Sequence, residues 1–174
     1  MNSTSPLFRF RAVMVLFITG LVISGVTAFP LLWELRILTH LMGVGSATSP
    51  EGHDGLVFWI LTVRHGLEAT YAAYPWIAYG TDWLAFGHLV IAGFFVGPLI
   101  HPLSSRPTIW TGIAACVAVI PLALICGPLR GVPIYWRLID CSFGVIGILP
   151  LIYCLKLVKR IESEIPSGSG NRTF

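Results

Sequence analysis

Charge is what this chain has least of. Only 11% of its 174 residues are Asp, Glu, Lys or Arg, against 55% hydrophobic residues, whereas a soluble domain carries roughly 25% charged residues. That shortage excludes an ordinary water-exposed surface. The eleven basic residues leave a net charge of +3. They are scattered rather than gathered into a face or stripe, so a nucleic-acid interface is excluded too. The four cysteines, Cys116, Cys126, Cys141 and Cys154, never stand in a Cys-x-x-Cys pair. Zinc-finger and dithiol redox signatures are therefore missing, and each cysteine reads as a small, inert apolar side chain. P-loop, nucleophile-elbow and zinc-protease motifs are absent, as is any internal repeat.

What the chain does have is long apolar runs. About 20 helical residues cross a hydrocarbon core, and four runs reach that length, at residues 12–32, 82–100, 108–127 and 134–157. The last three are separated by His101-Pro102-Leu-Ser-Ser-Arg106-Pro107 and by Gly127-Pro128-Leu-Arg-Gly131-Val-Pro133. Such Pro/Gly clusters end one helix and begin another, and connections this short make antiparallel neighbours. The predicted fold is an all-α integral membrane protein of four transmembrane helices, with one domain as the natural count at this length. Residues 163–174, around Pro166-Ser-Gly-Ser-Gly170, read as a flexible cytoplasmic tail.

Orientation follows from basic residues beside the spans. With four spans, Arg9, Arg11, Arg106, Lys156, Lys159 and Arg160 fall on one side. Arg36, Arg64, Arg130 and Arg137 share the other with Glu34, Glu51, Asp54, Glu68 and Asp82. Both termini are thus expected in the cytoplasm, the membrane being a bacterial inner membrane. Arg9, Arg11, the first apolar run and Val26-Thr27-Ala28 also imitate a signal peptide with its cleavage site; cleavage would still leave the following segment outside.

That segment, residues 34–81, is too long for a plain connector, because loops above about 12–15 residues usually carry structure or function. Ser49-Pro50-Glu51 has the form of a helix start. Leu56, Trp59, Ile60, Val63 and Leu67 then recur at helical spacing, and Arg64 and Glu68 can pair along the polar side. Tyr71, Tyr74, Trp76, Tyr79 and Trp83 form an aromatic band suited to a membrane–water interface. The segment is predicted to be an amphipathic, outward-facing helical cap.

Ionisable residues inside apolar runs are costly and by default functional. His88 lies in the second run and Arg137 and Asp140 in the fourth. If the second helix is capped by Thr81 or Asp82, His88 and Asp140 each lie about 10 Å below the outer surface. An Arg137–Asp140 pair with His88 beside it is therefore the expected polar intramembrane site, serving as helix-to-helix glue, ligand site or proton-handling group. The general shape resembles small four-helix membrane cytochromes and quinone-linked oxidoreductases, in architecture only, since their paired histidines and cysteines are missing here. Haem b held by two histidines needs one from each of two facing helices, and the first, third and fourth runs contain no histidine. A single outer haem, or a quinone, near His88 stays open if His40 or His65 folds back. His40, His53 and His65 match no compact metal motif, so no metal is expected.

Gly93 and Gly97 form a GxxxG that permits close approach of a partner helix or a second copy. Pro98, Pro121 and Pro150 are expected kinks. The residues point to a non-enzymatic accessory or ligand- and lipid-binding membrane protein with a polar site in the outer third of the bilayer. A redox protein using haem or quinone near His88 is the alternative. A transporter or proton pathway through His88 and Asp140 is a third reading.

Overall fold

The computed structural model describes residues 5–164, and these are all-helical, with 85% helix and no strand among them. Seven α-helices follow one another: α1 (Pro6–Ala28), α2 (Leu31–Leu41), α3 (Gly55–Ala73), α4 (Ala78–Phe94), α5 (Val96–Ile100), α6 (Arg106–Leu129) and α7 (Ile134–Glu164). Four stretches are long and apolar enough to cross a membrane: Pro6–Ala28, Pro75–Ile100, Arg106–Leu129 and Ile134–Glu164. They match the four runs expected from composition, with shifted ends.

The shifts have local causes. The first run was expected to continue to residue 32, but α1 stops at Ala28 and α2 begins at Leu31. Pro30 lies between them; its ring has no N–H and collides with the carbonyl four residues earlier. The second stretch starts before Thr81 and Asp82, which lie inside α4 instead of capping it. Thr81 spends its hydroxyl on the Ala78 carbonyl at 2.6 Å. His88 is consequently ten residues past Ala78, about 15 Å along its helix at 1.5 Å per residue, not six or seven. Pro98 withholds the N–H that Phe94 needs, and the helix breaks between α4 and α5 at Phe95. α7 continues through Ser163 and Glu164, so the first two residues of the expected tail are helical. The rest of it, residues 165–174, lies outside the described residues.

The chain divides into two compact units. In the unit formed by residues 5–20 and 92–164, α6 and α7 make an antiparallel hairpin. Gly127 meets Arg137, Cys116 meets Gly144 and Gly147, and Gly112 meets Leu151, pairs that step away evenly from the turn between the helices. Close approach depends on missing Cβ atoms: one on Gly144 would stand 2.4 Å from the Cys116 carbonyl oxygen. The turn is a Schellman motif. Gly131 takes the left-handed φ of +70°, Val132 N–H bonds Gly127 O at 2.9 Å, and Gly131 N–H bonds Pro128 O at 3.1 Å. Phe10, Met14, Phe95, Ile109, Leu151 and Val158 form the core of this unit, and Phe17 packs edge-on against Phe95 with centroids 4.8 Å apart. Arg106 and Glu162 close the far end as an ion pair.

The unit Leu21–Ile91 holds α2, α3, the last turns of α1 and most of α4. Near Gly25, α1 touches α4; a Cβ there would meet the Ala85 carbonyl oxygen at 3.0 Å and His88 Cβ at 3.1 Å. α2 also ends in a Schellman motif, with Gly43 at φ +75°, Val44 N–H on Thr39 O and Gly43 N–H on His40 O, both at 3.0 Å. Ser49-Pro50-Glu51 does not start a helix; it sits in a turn where His53 N–H bonds Pro50 O at 3.3 Å. α3 begins only at Gly55, because Gly52 and Gly55 both take positive φ and interrupt the helical path. The buried residues of α3 are Ile60, Leu61 and Arg64, so Arg64 lies on the inner face, not on the polar side expected from its spacing.

Candidate functional site

The one charged residue buried among the described residues is Arg64, with 6% of its surface exposed. A buried guanidinium is tolerable only when its donors are matched, and α2 and the loop after it supply the acceptors. Nη1 donates to Thr39 Oγ1 at 2.9 Å and to Gly45 O at 3.1 Å. Nη2 donates to Ala47 O at 2.7 Å and stands 3.3 Å from His65 Nε2. Arginine has no acceptor, so His65 Nε2 must accept and its hydrogen resides on Nδ1. That nitrogen faces Glu68 Oε2 at 3.8 Å. Glu68 is shared: Oε1 takes Arg36 Nε at 2.9 Å, and Oε2 lies 4.0 Å from Arg64 Nε. The cluster therefore stitches α2, the loop 43–47 and α3 together.

Beside it, the exposed Glu51 carboxyl is held below the ordinary glutamate range. The main cause is a hydrogen bond from the Ser49 side chain, then its own backbone N–H. His40 packs over Gly45, where a Cβ would come within 3.3 Å of its Nδ1. Of the candidate ligands in this segment, His65 is thus committed to Arg64 and Glu68, and His40 borders the same loop.

His88 belongs to the same unit. Its Nδ1 is 2.9 Å from the Leu84 carbonyl; a carbonyl only accepts, so Nδ1 carries a hydrogen, and in the neutral tautomer Nε2 is the acceptor. An imidazole held in this way is suited to accept a hydrogen bond or ligate through Nε2. Among the described residues, no group of three or more His, Cys, Asp or Glu side chains is placed to hold a metal ion.

Arg137 and Asp140 lie in the other unit, and they do not pair. No ion pair joins them among the described residues, and Arg137 Nε is buried without a hydrogen-bond partner. The reason is packing. The aliphatic stem of Arg137 lies across Gly127, and a Cβ there would stand 2.3 Å from Arg137 Cδ. Asp140 instead lines a cavity of about 290 Å³ between α6 and α7, with Arg130, Cys126, Leu122 and Ala123. Cys126 is exposed and only Cys154 is fully buried, so the four free thiols do not share one environment.

A second cavity, of about 250 Å³, is lined by Phe29, Tyr79, Asp82, Trp83 and Phe86. Tyr79 and Trp83 stand edge to face at 84° with centroids 6.0 Å apart, and Trp83 and Phe86 do so at 88° and 6.0 Å. The sequence marks Tyr79 and Trp83 as interfacial aromatics, but nothing in it joins Phe29 and Asp82 to them. The Arg64 cluster was likewise missed as a site. Its sequence signal is an arginine four residues after an apolar stripe position, following a loop of small residues, Gly43-Val-Gly-Ser-Ala47.

Comparison with known protein families, with curated proteins and with solved structures finds no match for this chain.

Proposed function

We propose that this chain is a non-enzymatic membrane protein that binds lipid or a partner helix, carrying α2 and α3 as a cap on the outer surface of the bilayer. The observation that carries the reading is how little of its apolar surface the chain buries by itself. Within the most apolar window of each candidate span, only 11% to 22% of the residues are buried. Trp110, Val117, Leu122 and Ile125 of α6 and Phe143, Ile146 and Leu149 of α7 are all exposed. Patches of that size need lipid or protein to cover them.

The cap reading rests on two further features. On α2, Trp33, Ile37 and Leu41 recur every four residues and are exposed, while Leu35 and Thr39 are buried on another face. That arrangement suits a helix lying in the interface plane. The Arg64 cluster gives α2 and α3 a polar junction that would be out of place in hydrocarbon but fits the headgroup zone. His88, Arg137 and Asp140 remain the intramembrane polar groups of this reading, and Gly93 and Gly97, open on their Cβ side, remain available to a partner helix. The haem form of a redox reading needs a second imidazole near His88. His65, bound to Arg64 and Glu68, gives it no support.

The test is accessibility. With the four native cysteines replaced by alanine, Thr48→Cys should react with a membrane-impermeant maleimide in intact cells, and Ser163→Cys only after lysis. The reverse pattern refutes the outward cap. Native mass spectrometry of the detergent-extracted protein should show retained lipid, and a bare monomer with neither lipid nor partner refutes the binding role.

A further inference from the structure

The two ring nitrogens of His65 are committed in opposite senses. Nε2 takes a hydrogen from Arg64 Nη2 at 3.3 Å, and the Nδ1 hydrogen faces Glu68 Oε2 at 3.8 Å. Charged and titratable groups meet this ring from α2, the following loop and α3 alike. Arg64 and Glu68 flank it on α3, and Arg36 of α2 joins through Glu68. Glu51, in the loop, lies close enough to feel a charge on His65. His40 of α2 packs on Gly45, whose carbonyl Arg64 holds.

Histidine is the side chain whose ordinary charge change falls between about pH 5 and 8. A proton on Nε2 would leave the imidazolium with two donors and no acceptor, and a guanidinium has only donors. The Arg64–His65 hydrogen bond cannot survive that change, and two like charges would stand where one stood. Arg64 is not free to give way. Its side chain is 7% exposed and is fastened to Thr39 Oγ1, Gly45 O and Ala47 O. The His65 side chain is 25% exposed and already faces a carboxylate. We propose that His65 is a pH switch on the loop 43–47. Neutral, it accepts from Arg64 and buttresses the guanidinium that clamps the loop. Protonated, it turns from Arg64 to the carboxylates of Glu68 and Glu51, so Arg64 Nη2 keeps Ala47 O alone and the clamp loosens. The switch does not depend on lipid or partner binding; with α2 and α3 outward, as proposed above, it answers to the pH of the outer compartment.

The experiment follows hydrogen–deuterium exchange of the full chain in a maltoside detergent, in steps from pH 8 to pH 5.5. That range lies above the ordinary carboxylate pKa values, so histidines titrate and acids do not. The amides of Val44 and Ala47, bonded to Thr39 O and Val44 O, are compared as protection factors, which removes the intrinsic pH dependence of exchange. Protection should fall about 2–10-fold on acidification, the equivalent of one hydrogen bond. Its midpoint should match that of the His65 ring in a nitrogen-15 titration, a comparison that needs no variant. His65→Gln offers an acceptor oxygen at every pH and should hold the pH 8 protection throughout. His65→Lys is a donor at every pH and should show the lower protection already at pH 8. His40→Gln, which changes the other histidine beside the loop, should leave the response in place. A response that persists in His65→Gln, vanishes in His40→Gln, departs from the His65 midpoint or is absent from the unaltered chain overturns the switch.

Discussion

Arg64→Met keeps an unbranched stem on α3 and deletes the charge and donors. Three acceptors then lose their partner: Thr39 Oγ1, Gly45 O and Ala47 O, now bonded at 2.9, 3.1 and 2.7 Å. Hydrogen bonds from a charged donor contribute about 1.5–3 kcal/mol each. Two terms oppose that sum. The Gly45 and Ala47 carbonyls are only partly buried, so water can reach them, and removing a buried guanidinium recovers part of its desolvation cost. The net local loss is about 2–4 kcal/mol, a 30- to 1000-fold rise in the opening of the loop by the usual tenfold per 1.4 kcal/mol. Because the expected loss is local to the loop 43–47, a melting temperature would blur the effect. Hydrogen–deuterium exchange resolves it, read at the amides of Val44 and Ala47, which bond Thr39 O and Val44 O at 3.0 and 3.1 Å. Arg36→Met is the matched control. It removes an ion pair to Glu68 from a side chain 58% exposed, contributing below about 1 kcal/mol and so only a few-fold change. If the two variants exchange equally at Val44 and Ala47, Arg64 is not the clamp.

Three other perturbations test separate parts of the structure. Gly144→Ala places a methyl 2.4 Å from the Cys116 carbonyl; forcing α6 from α7 should cost about 1–3 kcal/mol and lower the detergent melting temperature, whereas Gly93→Ala, with nothing within 4 Å of its Cβ, should not. Ser49→Ala removes the leading cause of the depressed Glu51 pKa and should move that pKa upward in a carbon-13 NMR titration. The sign is that of a lowered carboxylate: its contribution is present above the unfolded pKa and is lost as pH falls through the folded one. An unmoved titration curve in Ser49→Ala refutes the contact. Asp140→Asn deletes a charge that has no ion-pair partner among the described residues, so the melting temperature should hold or rise slightly; a fall of several degrees would show a partner for Asp140.

Much of the architecture was legible along the chain. The four apolar stretches appear where their runs lie, and Gly131 ends α6 because a left-handed residue there suits only glycine. The finer placements were not legible. Pro30 divides what composition reads as one continuous run, since an average over 20 residues is blind to one missing N–H. The start of α3 at Gly55 was not expected, because Ser49-Pro50-Glu51 has a helix-start composition and the positive φ of Gly52 and Gly55 is not visible in it.

The polar residues mark the limit most clearly. By itself the sequence determined that this is a helical chain with four stretches able to cross a bilayer, because that property is a sum over local residues, and it determined which ionisable side chains stand inside them. Only the tertiary structure decided what those side chains meet. Spacing paired Arg137 with Asp140 and put Arg64 on a polar face. In the fold, the glycine surface at Gly127 takes the stem of Arg137, and carbonyls from Gly45 and Ala47 draw Arg64 inward. A guanidinium goes where acceptors converge, and that convergence arises from residues separated by 17 to 25 positions in the chain, which no local pattern encodes.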